Sequence, residues 1–131
     1  MELHFYVCDV CGKVIAILSD SGVPTVCCGQ PMRELVANHT DGAFEKHVPV
    51  YRREDDTVNV KVGEKPHPML AEHSICWIGL RTGDGFSFKA RHPGDSPEAC
   101  WALCRGEEPE AVYAYCDLHG LWSREVKEHE N

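Results

Sequence analysis

Apolar and polar residues alternate with a period of two along most of the chain, the spacing of half-buried strands rather than helices. After residue 44, seven such stretches follow at short intervals: HVPVYRR, TVNVKV, SICWIGL, FSFKAR, EACWALC, AVYAYC and LWSREVK. Turn residues separate several of them, in REDDT, RTGDGF and HPGDSP. Seven short strands in about 90 residues predict an antiparallel β-sandwich of immunoglobulin-like kind. Tyr51, Val58, Val60, Ile75, Trp77, Phe86 and Phe88 are its core candidates. Ahead of it lie shorter apolar stretches, LHFYVC, KVIAIL and PMREL, within residues 1–36. Residues 37–44, ANHTDGAF, read as a polar linker. The expectation is an all-β chain with a small first domain, 1–36, and a sandwich domain, 37–131. The charged tail SREVKEHEN is expected to fray.

Composition narrows the function classes. The 131 residues carry 13 Lys+Arg against 21 Asp+Glu, a formal charge of −8. That balance argues against non-specific nucleic-acid binding, which needs clustered cations, but leaves room for a local positive site. No apolar run approaches the roughly 18 residues of a membrane span. The start, MELHFYVCDVCG, lacks a basic stretch followed by an apolar one, so no secretory signal is expected and the cytoplasm is the expected location.

Eight cysteines and eight histidines then change the picture. Without a secretory signal, metal binding is a stronger reading than a disulfide framework. Cys8 and Cys11 form a C-x-x-C knuckle with Gly12 beside it, and Cys27 and Cys28 follow as an adjacent pair. A core of so few residues is too small to fold alone, and a tetrahedral four-cysteine site supplies the missing stability. Adjacent cysteines on one metal widen one S–metal–S angle. Spacing alone leaves zinc and iron open, with a metal-free disulfide pair as the weaker alternative. Cys76, Cys100 and Cys104 read as packing residues. Cys100 and Cys104 on one strand stand about 13 Å apart, beyond disulfide reach.

Cys116 and His119 are spaced C-x-x-H, which brings a thiolate and an imidazole to one ion from a single turn. His47 follows FEK, and His67 and His73 bracket a loop whose Pro68 prevents a helical relation. Taken singly, each of these histidines reads as an ordinary core or surface residue. Together the three segments offer a five-ligand set: His47, His67, His73, Cys116 and His119. His4, His39, His92 and His129 lack such a setting and read as non-ligands.

CDVC with CCGQPM resembles the desulforedoxin-like first domain of the two-iron superoxide reductases, the desulfoferrodoxin type. DGAFEKHVPV, KPHPMLAEH and YCDLHGLW resemble the three segments that build the catalytic iron site of that family. The resemblance covers nearly the whole chain. It implies a desulforedoxin/rubredoxin-like metal domain holding Fe(Cys)4 through Cys8, Cys11, Cys27 and Cys28. It implies a second centre, Fe(His)4(Cys), with His47, His67, His73 and His119 equatorial and Cys116 axial. A homodimer, a rubredoxin-like electron donor and the one-electron reduction of superoxide to hydrogen peroxide are implied with it. Lys46 is then the candidate for attracting superoxide and placing a proton-donating water, and Glu45 the candidate sixth ligand to oxidised iron. The four-cysteine centre would serve as an electron relay, and zinc could replace its iron in recombinant protein. Cys76, Cys100 and Cys104 are additions that the family pattern does not require. Two rivals stand beside this reading: a non-catalytic two-iron electron-transfer protein, and a structural zinc-ribbon module fused to a β-sandwich.

Overall fold

The computed structural model describes residues 3–39, 44–65 and 67–127, without the side chains of Phe44 and Glu45. The chain divides into two compact units, Met1–Val36 and Ala37–Asn131. In the first, β1 (His4–Val7) is the centre of a three-stranded antiparallel sheet, with β2 (Val14–Ile17) on one side and β5 (Arg33–Glu34) on the other. β3 (Val26–Cys27) and β4 (Gln30–Pro31) pair as a separate two-residue ladder. Phe5, Val7, Cys8 and Met32 are its buried apolar residues. So small a core gives little hydrophobic stabilisation on its own.

The second unit opens with a single helical turn, α1 (Phe44–His47). Seven strands follow: β6 (Pro49–Glu54), β7 (Thr57–Val62), β8 (Ile75–Thr82), β9 (Phe86–Ala90), β10 (Glu98–Ala102), β11 (Pro109–Cys116) and β12 (Gly120–Glu125). They form a three-stranded sheet ordered β10-β7-β6 and a four-stranded sheet ordered β12-β11-β8-β9. All pairings are antiparallel. The sheets close on each other because alternate residues of each strand are apolar. Val58, Val60, Val62 and Trp101 of one sheet meet Ile75, Ile78, Leu80, Val112 and Ala114 of the other. This is the four-plus-three division of an immunoglobulin-like sandwich.

One irregularity matters for the site. Tyr115 pairs with Trp77 but Cys116 pairs with Ile75, so Cys76 is an extra residue in β8. This bulge reverses the alternation, and Ile75 faces the same core as Ile78 and Leu80. It turns Trp77 to the outer face, where its ring stacks on Tyr115 at 5.9 Å and Phe86 meets Tyr113 edge-on at 5.9 Å. Trp77 and Phe86 therefore lie outside the core cluster, and Phe88 is 62% exposed. The expectation that Cys100 and Cys104 pack inside is also corrected. β10 turns Trp101 inward and hence Cys100 outward, and Cys104 lies beyond the end of the strand; both are exposed. Cys76 is half-buried. Among the described residues, no helix is long and apolar enough to cross a membrane.

Candidate metal centres

The C-x-x-C knuckle is a tight turn that aims backbone donors at sulfur. Cys8 N–H bonds the Lys13 carbonyl, Gly12 N–H bonds the Cys8 carbonyl at 2.8 Å, and Cys11 N–H points at Cys8 Sγ at 3.5 Å. Gly12 takes φ +81°, a left-handed conformation that glycine adopts without strain. The short β3–β4 hairpin presents Cys27 and Cys28 opposite, with Cys28 at φ 52°. The four sulfurs lie within 4.8 Å of one another. Cys11 and Cys27 stand 3.7 Å apart, and Cys27 and Cys28 stand 4.0 Å apart. A tetrahedral ion with metal–sulfur bonds of about 2.3 Å sets its sulfurs about 3.8 Å apart. All eight cysteines are free thiols. The Cys11 N–H holds the Cys8 thiol down to about 6, whereas proton sharing with Cys8 and Cys11 pushes Cys27 up to about 12. Four crowded sulfurs thus resist losing all their protons, a resistance that a bound cation removes.

The second group is drawn from four separate places in the sandwich unit. Donor atoms of His47, His67, His73 and Cys116 lie within 4.8 Å of one another. His119 closes the set, with Nδ1 3.8 Å from Cys116 Sγ. The four imidazoles form a ring in the order 47, 67, 73, 119, with neighbouring centroids 4.6, 4.7, 5.1 and 4.7 Å apart and each neighbour edge-on. The diagonal from His47 to His73 is 6.1 Å, so the four rings make a near-square. Among the described residues, no further His, Cys, Asp or Glu joins this group.

Each member has a distinct support. α1 ends at His47, and its backbone lies directly on Gly63, the residue that follows β7. A Cβ on Gly63 would stand 2.6 Å from the Lys46 carbonyl carbon and oxygen. Trp122, fully buried on β12, stacks on the His47 ring at 4.9 Å and donates from Nε1 to the His119 carbonyl. The His67–His73 loop is closed by reciprocal Leu70 and His73 backbone bonds and tied to strand β8 by the Ile75 N–H, which donates to Met69 Sδ at 3.4 Å. Ser74 and Asp117 form a two-bond clamp. Ser74 N–H donates to Asp117 Oδ1 at 3.0 Å, and Asp117 N–H donates to the Ser74 carbonyl at 3.2 Å. This joins the residue after His73 to the residue after Cys116.

The site's electrostatics suit a cation. His67 Nδ1–H donates to the Pro68 carbonyl at 2.6 Å, which leaves Nε2 as the bare nitrogen. Nε2 of His67 and of His73 is buried without a hydrogen-bond partner, an arrangement that is destabilising unless something positive accepts the lone pair. Burial holds His67 down to about 4, with smaller contributions from the neighbouring histidines, so its ring stays neutral. Burial pushes the Cys116 thiol up, against backbone N–H groups of His119 and Leu118 that pull it down.

The sequence-predicted residues therefore fall into two groups, Cys8, Cys11, Cys27 and Cys28 in one and His47, His67, His73, Cys116 and His119 in the other. Lys46 is exposed beside His47, and the side chain of Glu45 lies outside the described residues. His4 instead pairs with Glu34 and His92 with Asp95, and His129 is outside the described residues. Sequence reading missed Gly63, Trp122 and Asp117. Trp122 and Asp117 sit in the YCDLHGLW segment, but only the strand pairings reveal their partners.

Comparison with known proteins agrees with this arrangement. The desulfoferrodoxin family profile matches residues 39–125, and that of the desulfoferrodoxin N-terminal domain matches residues 1–35. A desulfoferrodoxin of Syntrophotalea carbinolica is 45% identical over 125 residues, covering 95% of this chain and 97% of the relative. A superoxide reductase of Pyrococcus abyssi is 38% identical over 105 residues, covering 66% of this chain and 90% of its own. The crystal structure of the superoxide reductase from Treponema pallidum superposes with a TM-score of 0.81 at 32% identity, covering 95% of this chain and all of that one. With both of its units matched and the relatives spanned over nearly their full length, the chain belongs to the desulfoferrodoxin family.

Proposed function

We propose that the protein is a superoxide reductase: superoxide takes up one electron and two protons and leaves as hydrogen peroxide. The observation that carries the reading is the near-square of four imidazoles closed by the buried Cys116 thiol. These residues fit iron, since the inward Nε2 atoms of His67 and His73 have no other partner and imidazole with thiolate is a donor set that iron accepts. Held by these residues, ferrous iron would supply the electron and attract a small anion.

The chain's own residues do the rest. Four neutral imidazoles and one thiolate offset a single positive charge of a divalent ion, so the site stays attractive to an anion. His67 is kept neutral by its buried setting, which outweighs the opposite pull of its bond to Pro68. Lys46 places an ammonium near the site in a chain of net charge −8, where a local cation counters long-range repulsion of superoxide. The same ammonium orders the water that delivers protons. Glu45, two residues before His47, would be the carboxylate that holds the oxidised metal after turnover. Residues 1–36 serve as the electron relay. Cys8, Cys11, Cys27 and Cys28 would hold the relay's metal as thiolates, iron in the working protein and zinc in recombinant protein. A rubredoxin-like donor, a homodimer and a cytoplasmic location complete the reading.

The rival, a non-catalytic two-iron carrier, requires a closed second centre. The reductase reading is supported by the superoxide reductases among the chain's relatives and similar solved structures. The zinc-ribbon module leaves the histidine square unexplained. The test is anaerobic stopped-flow mixing of reduced, iron-loaded protein with superoxide. A reductase yields one peroxide per electron consumed and no dioxygen. A carrier leaves superoxide to decay at its spontaneous rate, and either that result or dioxygen release refutes the proposal.

A further inference from the structure

A chain of net charge −8 repels acidic proteins, yet one of its faces is basic. β6, β7 and β10 turn Arg52, Lys61 and Cys100 outward, and Lys89 and Arg91 reach the same face from β9 and the residue after it. Together they line an open concavity of about 590 Å³ with two carboxylates, Glu54 and Glu98. Arg52 is neutralised by Glu54 at 2.6 Å. Lys61 faces Glu98 across the β7–β10 ladder and Arg91 acts on the nearby Asp95 carboxylate, so both are partly offset, while Lys89 is not, and four cations line the concavity against two carboxylates. Lys89 donates to the Cys100 carbonyl and lies 5.2 Å over the Trp101 ring, and Arg91 donates to the carbonyls of Ala90 and Glu98. Carbonyls orient these groups without cancelling their charge. Among the described residues, no carboxylate stands within ion-pair distance of Lys61, Lys89 or Arg91.

Position adds a second argument. Val50 lines this concavity and lies three residues after His47, at most about 11 Å of extended chain. A second concavity on the same strand is also lined by Val50, with Arg53, which pairs with Glu108, and Arg124, whose Nε donates to the Pro49 carbonyl, beside Glu54 and Glu64, so its charges are balanced and the cationic excess lies in the first. Cations spread over separate strands of an open sheet suit a broad acidic surface better than a single phosphate group.

We propose that the outer face of β6, β7 and β10 is the docking surface for a small acidic one-electron carrier protein, which delivers the electron beside Val50 and the strand leading from His47, an entry to the histidine centre separate from the relay of residues 1–36. This rests on the reductase reading, because each superoxide reduced consumes one electron that must come from outside the chain. The carrier is oxidised by one electron and the protein reduced by one.

Cys100 makes docking measurable apart from turnover. It is exposed inside the concavity, whereas Cys104 is exposed outside it. Iron-loaded protein is alkylated with iodoacetamide at low salt, alone and with excess acidic rubredoxin, and the two cysteines are followed by peptide mass spectrometry. The expected result is an about fivefold slower modification of Cys100 with Cys104 unchanged, lost when added salt shortens the Debye length to about 3 Å. Lys61→Glu with Arg91→Glu should abolish the protection while the reaction with superoxide keeps its rate. Equal labelling of Cys100 with and without rubredoxin overturns the proposal, as does protection that survives high salt. Protection by flavin mononucleotide but not by rubredoxin also overturns it, in favour of a small anion. Salt-sensitive protection in a protein that does not reduce superoxide would sustain the docking surface and refute the reductase reading alone.

Discussion

Gly63→Ala tests how the fold places His47. Gly63 has φ +84°, and an added Cβ would meet the Lys46 carbonyl carbon, its oxygen and the Lys65 oxygen, each at 2.6 Å. All three are backbone atoms, so none can swing aside as a side chain would. A side chain in the left-handed region costs about 1–2 kcal/mol. Overpacking of this kind adds about 1–3 kcal/mol, giving a loss of about 2–5 kcal/mol. Restoring ordinary contact displaces the Lys46 carbonyl by about 1 Å, and His47 is bonded to it. A ligand displaced that far should weaken metal at the histidine centre about 10–100-fold. Gly106→Ala is the control, because Gly106 has φ +88° but nothing within 4 Å of a Cβ, and so pays only the conformational part. Chemical denaturation of the metal-free proteins gives the first quantity, and iron titration followed in the visible gives the second. The four-cysteine centre should titrate unchanged in both variants. If Gly63→Ala and Gly106→Ala lose the same stability and bind iron at the histidine centre equally, the contact does not position His47.

Four further outcomes follow from the same geometry. His67 is held to about 4 when folded against 6.5 for an ordinary histidine, so the unfolded chain binds more protons between those values. The metal-free protein should therefore lose up to about 3 kcal/mol as pH falls from 6.5 to 4, and a His67→Gln variant with the same slope in denaturation curves would contradict this. Asp117→Ala removes the acceptor for Ser74 N–H and should cost about 1.5–3 kcal/mol, with iron lost faster to a chelator from the histidine centre; unchanged release would show that the clamp does not hold the ligands. Cys11→Ser should abolish metal at the first centre while the rate of superoxide reduction at the second stays the same, as read by stopped flow. Lys46→Glu should slow the second-order reaction with superoxide and invert its salt dependence, and an unaltered rate would remove Lys46 from the mechanism.

The alternation of apolar residues predicts all seven strands of the sandwich, because a sheet with one wet face repeats every two residues. It does not say which face is wet. The extra residue at Cys76 switches the phase within β8, so Trp77 and Phe86 stand outside while Ile75 and Ile78 share the core. Nothing local in SICWIGL marks that bulge. In the first unit the short ladder β3–β4 has no period to read, since its position follows from the cysteines rather than from burial. The residues that gather into the two groups were legible from spacing and family pattern because C-x-x-C, C-x-x-H and a proline-broken histidine loop are local features. Their supports were not. Gly63 acts through the approach of α1, and Asp117 acts through Ser74, 43 residues away. Cys100 and Cys104 look apolar by composition, and only the strand phase and the strand end expose them.

The central claim is that His47, His67, His73, His119 and Cys116 hold one iron together. Iron-edge X-ray absorption on the ferrous Cys11→Ser variant, which isolates the second centre, measures its ligand shell directly. The account predicts four nitrogen scatterers with imidazole multiple scattering and one sulfur at the shorter range of a thiolate bond. A shell without sulfur, or with fewer than four imidazoles, would contradict it.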